Sequence, residues 1–132
     1  MIAKDCLKGR RSIRTYQDKP VSHELLEEIV STASYAPSWK NTQVTRYVAV
    51  EGAMKDRISR ECTSIFPGNR RIIDSAPMLI VVTVIKNRSG YERDGSFSTS
   101  KEDRWQTFDA GIASEAFCLA AYEQGLGTIT FI

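Results

Sequence analysis

The sequence predicts a single domain that contains both helices and strands. Its 132 residues are enough for one hydrophobic core but not for two comfortable domains. Residues 22–35 and 104–124 carry apolar side chains at helical spacing. Residues 45–50 and 76–85 are shorter apolar runs, which are typical of strands. There is no internal repeat and no composition shift that would mark a linker, so we expect one domain over residues 1–132.

Two helices are predicted in the first part of the chain. Residues 2–9 have one apolar face, and Gly9 lies near the end of that helix. The next helix has Ser22 as its N-cap. It must end at or before Ala36, because Pro37 disfavours helical geometry in the preceding residue. Its apolar stripe indicates that it packs on a core and consists of Leu25, Leu26, Ile29, Val30 and Ala33.

The middle of the chain predicts two strands and one further helix. Residues 45–50 read as a strand, and residues 53–62 as a helix with weak periodicity. The continuous β-branched run at 76–85 is typical of a strand covered on both faces. Residues 86–103 are polar and aperiodic, which predicts a long loop insertion; in a small domain such a loop is either mobile or functional.

The last predicted helix runs from 104 to 124, with Gly125 as its C′ residue. Its many small residues permit close helix–helix approach, which suits a buried central helix or a dimer interface. The segment "TITFI" at 128–132 predicts the start of another strand. The expected apolar face of the helix consists of Trp105, Phe108, Ile112, Ala116, Leu119 and Ala120.

Composition argues against several classes of function. The formal net charge of +2 does not suggest a nucleic-acid or membrane partner, and no apolar run reaches membrane-spanning length. Cys6, Cys62 and Cys118 are widely spaced, so we expect reduced thiols rather than disulfides. The single histidine, His23, cannot build a zinc site with these cysteines. A Ser/His/Asp catalytic triad would have to use His23, but the sequence has no GxSxG nucleophile elbow. We expect a cytoplasmic protein without a metal.

A basic cluster near the start of the chain is the first feature with chemical meaning. Arg10, Arg11, Ser12 and Arg14 place three guanidiniums and a hydroxyl within five residues. Guanidinium donors match the oxygens of a phosphate, and in a helix Arg10 and Arg14 would share a face. A solvated basic cluster or a set of surface ion pairs is the alternative.

The second feature is the stretch "APSWKNTQ" at residues 36–43, between a helix and a strand. Ser38, Asn41 and Gln43 supply a hydroxyl and two amides that both donate and accept hydrogen bonds. Such groups suit the edge of a heterocycle such as a nucleobase, a pterin or a flavin. The alternative is a helix terminus followed by a turn that these side chains cap.

The order of these segments carries more information than either alone. "RRSIRTYQDKPV", a helix "LLEEIVSTASYAPS", "NTQ" before a strand, and the later "FDAGIASEAFCLAAYEQGLGT" together resemble the nitroreductase-like flavoprotein family. The resemblance covers most of the 132 residues. It implies an α+β fold of obligate-dimer type, with a mainly antiparallel central sheet flanked by helices. It also implies non-covalent FMN at a homodimer interface.

The resemblance assigns roles to individual residues. Arg10, Arg11, Ser12 and Arg14 would hold the flavin phosphate and ribityl chain. Pro37, Ser38, Trp39 and Asn41 would reach the isoalloxazine from the partner subunit, with Gln43 nearby. Arg71 is a candidate for the pyrimidine edge, and Thr130 and Phe131 would approach the ring. No catalytic side chain is implied, because the flavin carries the redox chemistry.

The chain departs from the family pattern in two places. Where the family usually has "NxQPW", this chain has "NTQVT". The residues at the start of the following strand, Val44 and Thr45, therefore differ from the family pattern. Family members usually continue beyond the strand after the glycine turn, through another helix, another core strand and a C-terminal extension. We therefore expect this sequence to be a C-terminally incomplete member.

The implied activity is that of an FMN-dependent NAD(P)H oxidoreductase. In a ping-pong cycle, hydride would pass from NAD(P)H through the flavin to a small organic acceptor of nitroaromatic, quinone or enone type. Alternatives are a non-enzymatic flavin-binding or structural dimer module, and a member with divergent chemistry such as dehalogenation or flavin breakdown.

Overall fold

The computed structural model describes residues 1–131, and this part of the chain contains five α-helices and two strands. A single 3-10 turn, Trp39–Asn41, separates the second helix from the first strand. The fold is α+β, as predicted. In chain order the elements are α1 (Ala3–Gly9), α2 (His23–Ala33), β1 (Thr45–Val50), α3 (Gly52–Cys62), α4 (Pro67–Ser75), β2 (Leu79–Val84) and α5 (Arg104–Glu123).

The first turn of α2 is capped by a side chain, as the sequence predicts. The Ser22 hydroxyl oxygen accepts a hydrogen bond from the backbone N–H of Leu25 at 3.2 Å. This satisfies one of the N–H groups that have no partner within the helix. The helix ends at Ala33, before Ala36 and Pro37, and this prediction is also confirmed.

The core lies where α2 packs against α5. Ile29 is 1% exposed and contacts Ala120 and Ala121, with Leu25 and Phe117 packed around them. Alanine at two successive positions of α5 lets the two helix backbones come close, which confirms the expectation of close helix packing.

The predicted apolar face of α5 is partly wrong. Phe108 is 58% exposed, and Trp105 is only half-buried. Apolar side chains occur around most of this helix, so hydrophobicity alone does not distinguish its faces, and the small residues rather than the large ones meet α2. The buried positions are Asp109, Ala113, Cys118, Ala120 and Ala121.

The C-terminal end of α5 follows the prediction. Gly125 has a φ of +81°, a conformation that favours glycine. The N–H of Gly125 bonds to the Tyr122 carbonyl, and the N–H of Leu126 to the Ala121 carbonyl, both at 2.9 Å. This pair of bonds is the Schellman motif, which turns the chain sharply after the helix.

The two strands form an antiparallel sheet, with Tyr47 opposite Val82. The Tyr47 ring lies 5.1 Å from the Phe117 ring, and its hydroxyl donates to the Ala113 carbonyl at 3.1 Å, so α5 packs on this sheet. The prediction that β2 is covered on both faces is wrong for the single chain. Val81 and Val82 lie on opposite faces of the strand and are 37% and 39% exposed, so α5 does not cover either face fully.

The strand predicted at 128–132 is not found in residues 128–131, and Ile132 lies outside the described residues. Thr128 makes only a single parallel bridge to Ser12, with the Ile13 N–H bonded to the Thr128 carbonyl at 2.9 Å. Ser12 itself belongs to an extended segment that follows α1. The helical arrangement considered for Arg10 and Arg14 therefore does not occur.

Helix α4 was not predicted, although Pro67 at its start is a usual first helical residue. It forms a helical hairpin with α3 that is held by two polar contacts from buried side chains of α3. The Lys55 ammonium donates to the Ile73 carbonyl at 2.8 Å. The Ser59 hydroxyl donates to an Asp74 carboxylate oxygen at 2.5 Å.

The cap of α2 is testable by its removal. Ser22→Ala should lower the free energy of unfolding by about 1 kcal/mol, because the Leu25 N–H loses its acceptor. Chemical denaturation monitored by circular dichroism measures this difference. Ser31→Ala, an exposed change within the same helix, should be neutral or slightly stabilising. Equal effects of the two variants would contradict the capping role.

Candidate functional site

The turn at residues 38–43 has an unusual backbone. Lys40, Asn41 and Gln43 have φ values of 44°, 54° and 51°, in the left-handed region that non-glycine residues rarely adopt. The Ser38 hydroxyl oxygen accepts the Gln43 N–H at 2.9 Å, and the Gln43 amide donates to the Asn41 side-chain oxygen at 3.2 Å. Strained backbone of this kind persists only where surrounding contacts hold it, and it is common at ligand sites.

A buried carboxylate on α5 holds this turn. Asp109 is 1% exposed, and its Oδ1 accepts the backbone N–H of Trp39 at 3.0 Å. Its Oδ2 accepts the hydroxyl of Ser89, a fully buried residue of the 86–103 loop, at 2.5 Å. One side chain thus connects α5, the turn and the loop.

A second contact joins the turn to the loop at the surface. The Lys40 ammonium lies 3.0 Å from Glu92 Oε1 and 4.7 Å from the centre of the Trp39 ring. Hydrogen bonds from the Ser98 hydroxyl and from Lys40 lower the pKa of the Glu92 carboxyl below its ordinary value. Glu92 is therefore ionised at neutral pH and paired with Lys40.

The turn borders a pocket of about 650 Å³, the turn pocket. Of the residues predicted to read a flavin ring, Pro37, Ser38 and Gln43 line it, whereas Trp39 and Asn41 do not. Tyr47 lines it too, and burial raises the pKa of that phenol, which stays protonated and donates to Ala113. The turn pocket presents these hydrogen-bonding groups together with the charged side chains of Arg46, Arg88 and Asp109.

The basic cluster has one buried, unsatisfied donor. The Nε of Arg10 is buried without a hydrogen-bond acceptor among residues 1–131. The nearest acidic atom, Glu115 Oε1, lies 3.7 Å away, which is an ion pair but too long for a hydrogen bond. Arg11 instead donates to the Lys8 and Arg10 carbonyls at 2.7 Å each, and Arg14 is exposed.

A wide concavity of about 1460 Å³, the basic trough, runs past this cluster. Arg10 and Arg11 line it together with Thr128, Thr130 and Phe131, so the structure brings the two ends of the predicted site together. The Thr128 hydroxyl is, like Arg10 Nε, buried without a partner in the described chain. Ser12 fixes this arrangement through its bridge to Thr128.

Arg71 was predicted to reach a flavin edge, but it lies exposed on α4 and lines neither the turn pocket nor the basic trough. Some predicted residues line one of two adjoining concavities, which share Leu26 and Ile80, and the others line neither. Those that line neither are Ser12, Arg14, Trp39, Asn41 and Arg71. Within residues 1–131, no cluster of three or more His, Cys, Asp or Glu side chains could hold a metal ion. The same part of the chain has no helix of the length and hydropathy needed to cross a membrane.

Sequence reasoning missed Asp109, Ser89 and the pair Lys40–Glu92. Only Asp109 left a signal: it is an acidic residue four positions before Ala113 on a helix rich in small apolar residues. Such a residue on a buried face requires a polar partner. That its partners come from residues 39 and 89 is visible only in the folded chain.

Comparison with known proteins decides the family. A family model described as "Nitroreductase family" matches residues 7–131. The chain belongs to the nitroreductase family. It is 31% identical over 130 residues to the FMN reductase [NAD(P)H] of Bacillus subtilis (strain 168). That match covers 93% of this chain and 51% of the relative, so this nitroreductase-family chain spans about half of that protein's length.

Solved structures show the same fold. A nitroreductase family protein from Clostridium novyi NT superimposes with a TM-score of 0.77 at 27% identity, covering 98% of this chain and 68% of that one. A Desulfovibrio desulfuricans protein solved in complex with FMN gives a TM-score of 0.74 at 25% identity, covering 96% of this chain and 65% of that one.

The contact between Lys40 and Glu92 predicts a change in titration. Lys40→Ala should raise the pKa of Glu92 toward its ordinary value of 4.5, though not fully, because the Ser98 hydrogen bond remains. NMR titration of the Glu92 side-chain carboxyl carbon measures this shift. Since the pKa is lowered in the folded chain, the contribution of this pair to stability is present above 4.5 and is lost as the pH falls through the folded pKa.

Lys101→Ala is the matched control, because Lys101 carries the same charge in the same loop but lies over the Trp105 ring. It should leave the Glu92 pKa unchanged. An equal shift in both variants would show that the effect is one of net charge rather than of the Lys40 contact.

Proposed function

We propose that this chain is the FMN-binding part of an NAD(P)H-dependent oxidoreductase that reduces a small organic acceptor. Membership of the nitroreductase family supports the proposal, as do the B. subtilis relative named FMN reductase [NAD(P)H] and the D. desulfuricans structure containing FMN. The observation that carries it is the pair of buried donors, Arg10 Nε and Thr128 Oγ1, that have no partner within residues 1–131.

These donors fit the phosphate end of FMN. Buried polar groups in folded proteins nearly always have a hydrogen-bond partner, so two unsatisfied donors beside one trough indicate a missing acceptor. A phosphate supplies several acceptor oxygens and negative charge to guanidiniums. Arg10, Arg11, Ser12 and Arg14 would hold the phosphate and ribityl chain, and Thr128 would add its hydroxyl.

The ring end of FMN fits the 38–43 turn. Ser38, Asn41 and Gln43 offer a hydroxyl and two amides, which can match the alternating donors and acceptors of the isoalloxazine edge. Pro37 and Trp39 would supply apolar contact, and Thr130 and Phe131 would approach the ring from the basic trough. Arg71 lines neither concavity in one chain, and its contact with the pyrimidine edge stays a prediction.

We propose a homodimeric site, as the resemblance to the family implies. Ser38 and Gln43 line the turn pocket, whereas Arg10 and Arg11 line the basic trough. In such a dimer, one FMN would be held by the phosphate-binding residues of one subunit and by the turn of its partner. The exposed valines of β2, Val81 and Val82, leave apolar surface available for such an association.

When bound, FMN would accept hydride from NAD(P)H and pass electrons to a nitroaromatic, quinone or enone acceptor. The protein's own residues would bind and orient. No side chain in either concavity needs to act as an acid or a nucleophile.

The test of the function is spectroscopic. The purified chain should retain the visible absorbance of added FMN through gel filtration, elute as a dimer, and lose that absorbance when NADH or NADPH is added without oxygen. Retained absorbance that neither dinucleotide bleaches would identify a flavin-binding module instead. A chain that retains no FMN and supports no FMN-dependent NAD(P)H oxidation would refute the proposal.

The phosphate assignment has its own test. Arg10→Ala should raise the Kd for FMN by about 10- to 100-fold, since it removes a charge-assisted hydrogen bond. The affinity for riboflavin, which lacks the phosphate, should change much less. Flavin fluorescence titration measures both constants. Arg57→Ala is the matched control, because Arg57 pairs with Glu61 on the surface of α3. Equal losses for FMN and riboflavin would contradict the assignment.

A further inference from the structure

We propose that Asp109 is a positioning residue of the flavin site. Its carboxylate holds the 38–43 turn in the conformation that would contact the flavin ring. The same carboxylate connects the turn to the 86–103 loop by hydrogen bonds. The inference rests on the proposed function and adds to it a residue that lines the turn pocket and acts through the backbone of the turn.

The burial of Asp109 needs an explanation, because a charge removed from water is unfavourable unless it is compensated. No cation pairs with Asp109 in the part of the chain that is described. Its compensation consists of two hydrogen bonds, one to each carboxylate oxygen, from the Trp39 N–H and the Ser89 hydroxyl. A carboxylate is well suited to this place because it accepts at two points and donates at none.

The first bond acts at the start of the strained turn. Trp39 directly precedes Lys40, whose φ of 44° begins the run of left-handed residues that includes Asn41 and Gln43. Such a conformation is intrinsically unfavourable for these residues and needs external support. Fixing the Trp39 amide to a rigid helix supplies that support where the backbone changes direction.

The second bond acts on a segment that cannot easily shift. Gly90, next to Ser89, is buried with a φ of +91°, and a β-carbon there would collide with the Glu102 carbonyl oxygen. The chain is thus packed tightly around Ser89. The Asn87 N–H also bonds to the Gln106 side chain at 3.0 Å, so this end of the loop is tied to α5.

Removal of this carboxylate should therefore loosen the contacts that hold the turn and the loop on α5. Without the Trp39 bond, the turn can relax toward ordinary backbone angles, and the Ser38 and Gln43 groups lose their common orientation. FMN must then reorder the turn on binding, which lowers the affinity. A side chain that only stabilised the fold would have no such selective effect.

The chain contains a matched control for this experiment. Ser59 and Ser89 are both fully buried, and each donates its hydroxyl to an aspartate oxygen at 2.5 Å. Ser59 lies in the α3–α4 hairpin and lines neither concavity. Ser59→Ala and Ser89→Ala therefore each remove a serine–aspartate hydrogen bond from a buried serine, one of them away from the site, although Asp74 is half-exposed and Asp109 is buried.

The measurements are the FMN dissociation constant and hydrogen exchange of the peptide that covers residues 36–44, both in the full 132-residue chain. Asp109→Ala should raise the Kd about 10-fold or more and speed exchange of that peptide. Ser89→Ala should raise the Kd by roughly 3- to 10-fold. Asp109→Asn should stay within about 3-fold of the unaltered chain, because its oxygen can accept the Trp39 N–H and its amide can donate to Ser89. Ser59→Ala should leave both measurements unchanged while lowering thermal stability.

Folded Asp109→Ala and Ser89→Ala chains that bind FMN within threefold of the unaltered chain would overturn the inference. So would a loss of affinity in Ser59→Ala equal to that in Ser89→Ala, since the effect would then reflect general stability. If Asp109→Ala fails to fold, the two serine variants decide the question. An unaltered chain that binds no FMN refutes the proposed function, and the inference falls with it.

Discussion

The arrangement of the candidate site depends on one buried carboxylate. Asp109 extends from the helix that also packs on α2 and on the sheet, and it accepts hydrogen bonds from both segments that flank the turn pocket. The charge is tolerated in the interior because both oxygens are used. The helix α5 therefore both packs in the core of the domain and holds the turn in place.

A second constraint acts at the other end of α5. The Schellman turn at Gly125 directs the chain back past the N-terminal segment, where Gly127 packs against Ile13 and Thr128 bridges Ser12. This contact places the end of the described chain beside the arginine cluster. It creates a trough with buried donors that residues 1–131 do not satisfy, and a bound phosphate would supply their acceptors.

The two concavities differ in the chemical groups that they present. The turn pocket offers the hydroxyl of Ser38 and the amide of Gln43 beside the charged side chains of Arg46, Arg88 and Asp109. The basic trough offers the guanidiniums of Arg10 and Arg11. A cofactor that is a flat heterocycle at one end and a phosphate at the other needs both kinds of surface. The exposed valines of β2 show that one chain does not bury all of its apolar surface, which suits a site completed by a second copy.

The sequence alone determined the family, the positions of most helices and strands, and the two segments that carry chemistry. These depend on local signals, namely apolar periodicity, the cap at Ser22, the glycine at 125 and the order of motifs. The sequence did not reveal which face of α5 is buried, because apolar residues surround that helix. It also could not show that residues 39 and 89 meet on Asp109, or that Arg71 lies outside both concavities. Such contacts join residues far apart in the chain, and only the tertiary structure decides which of them meet.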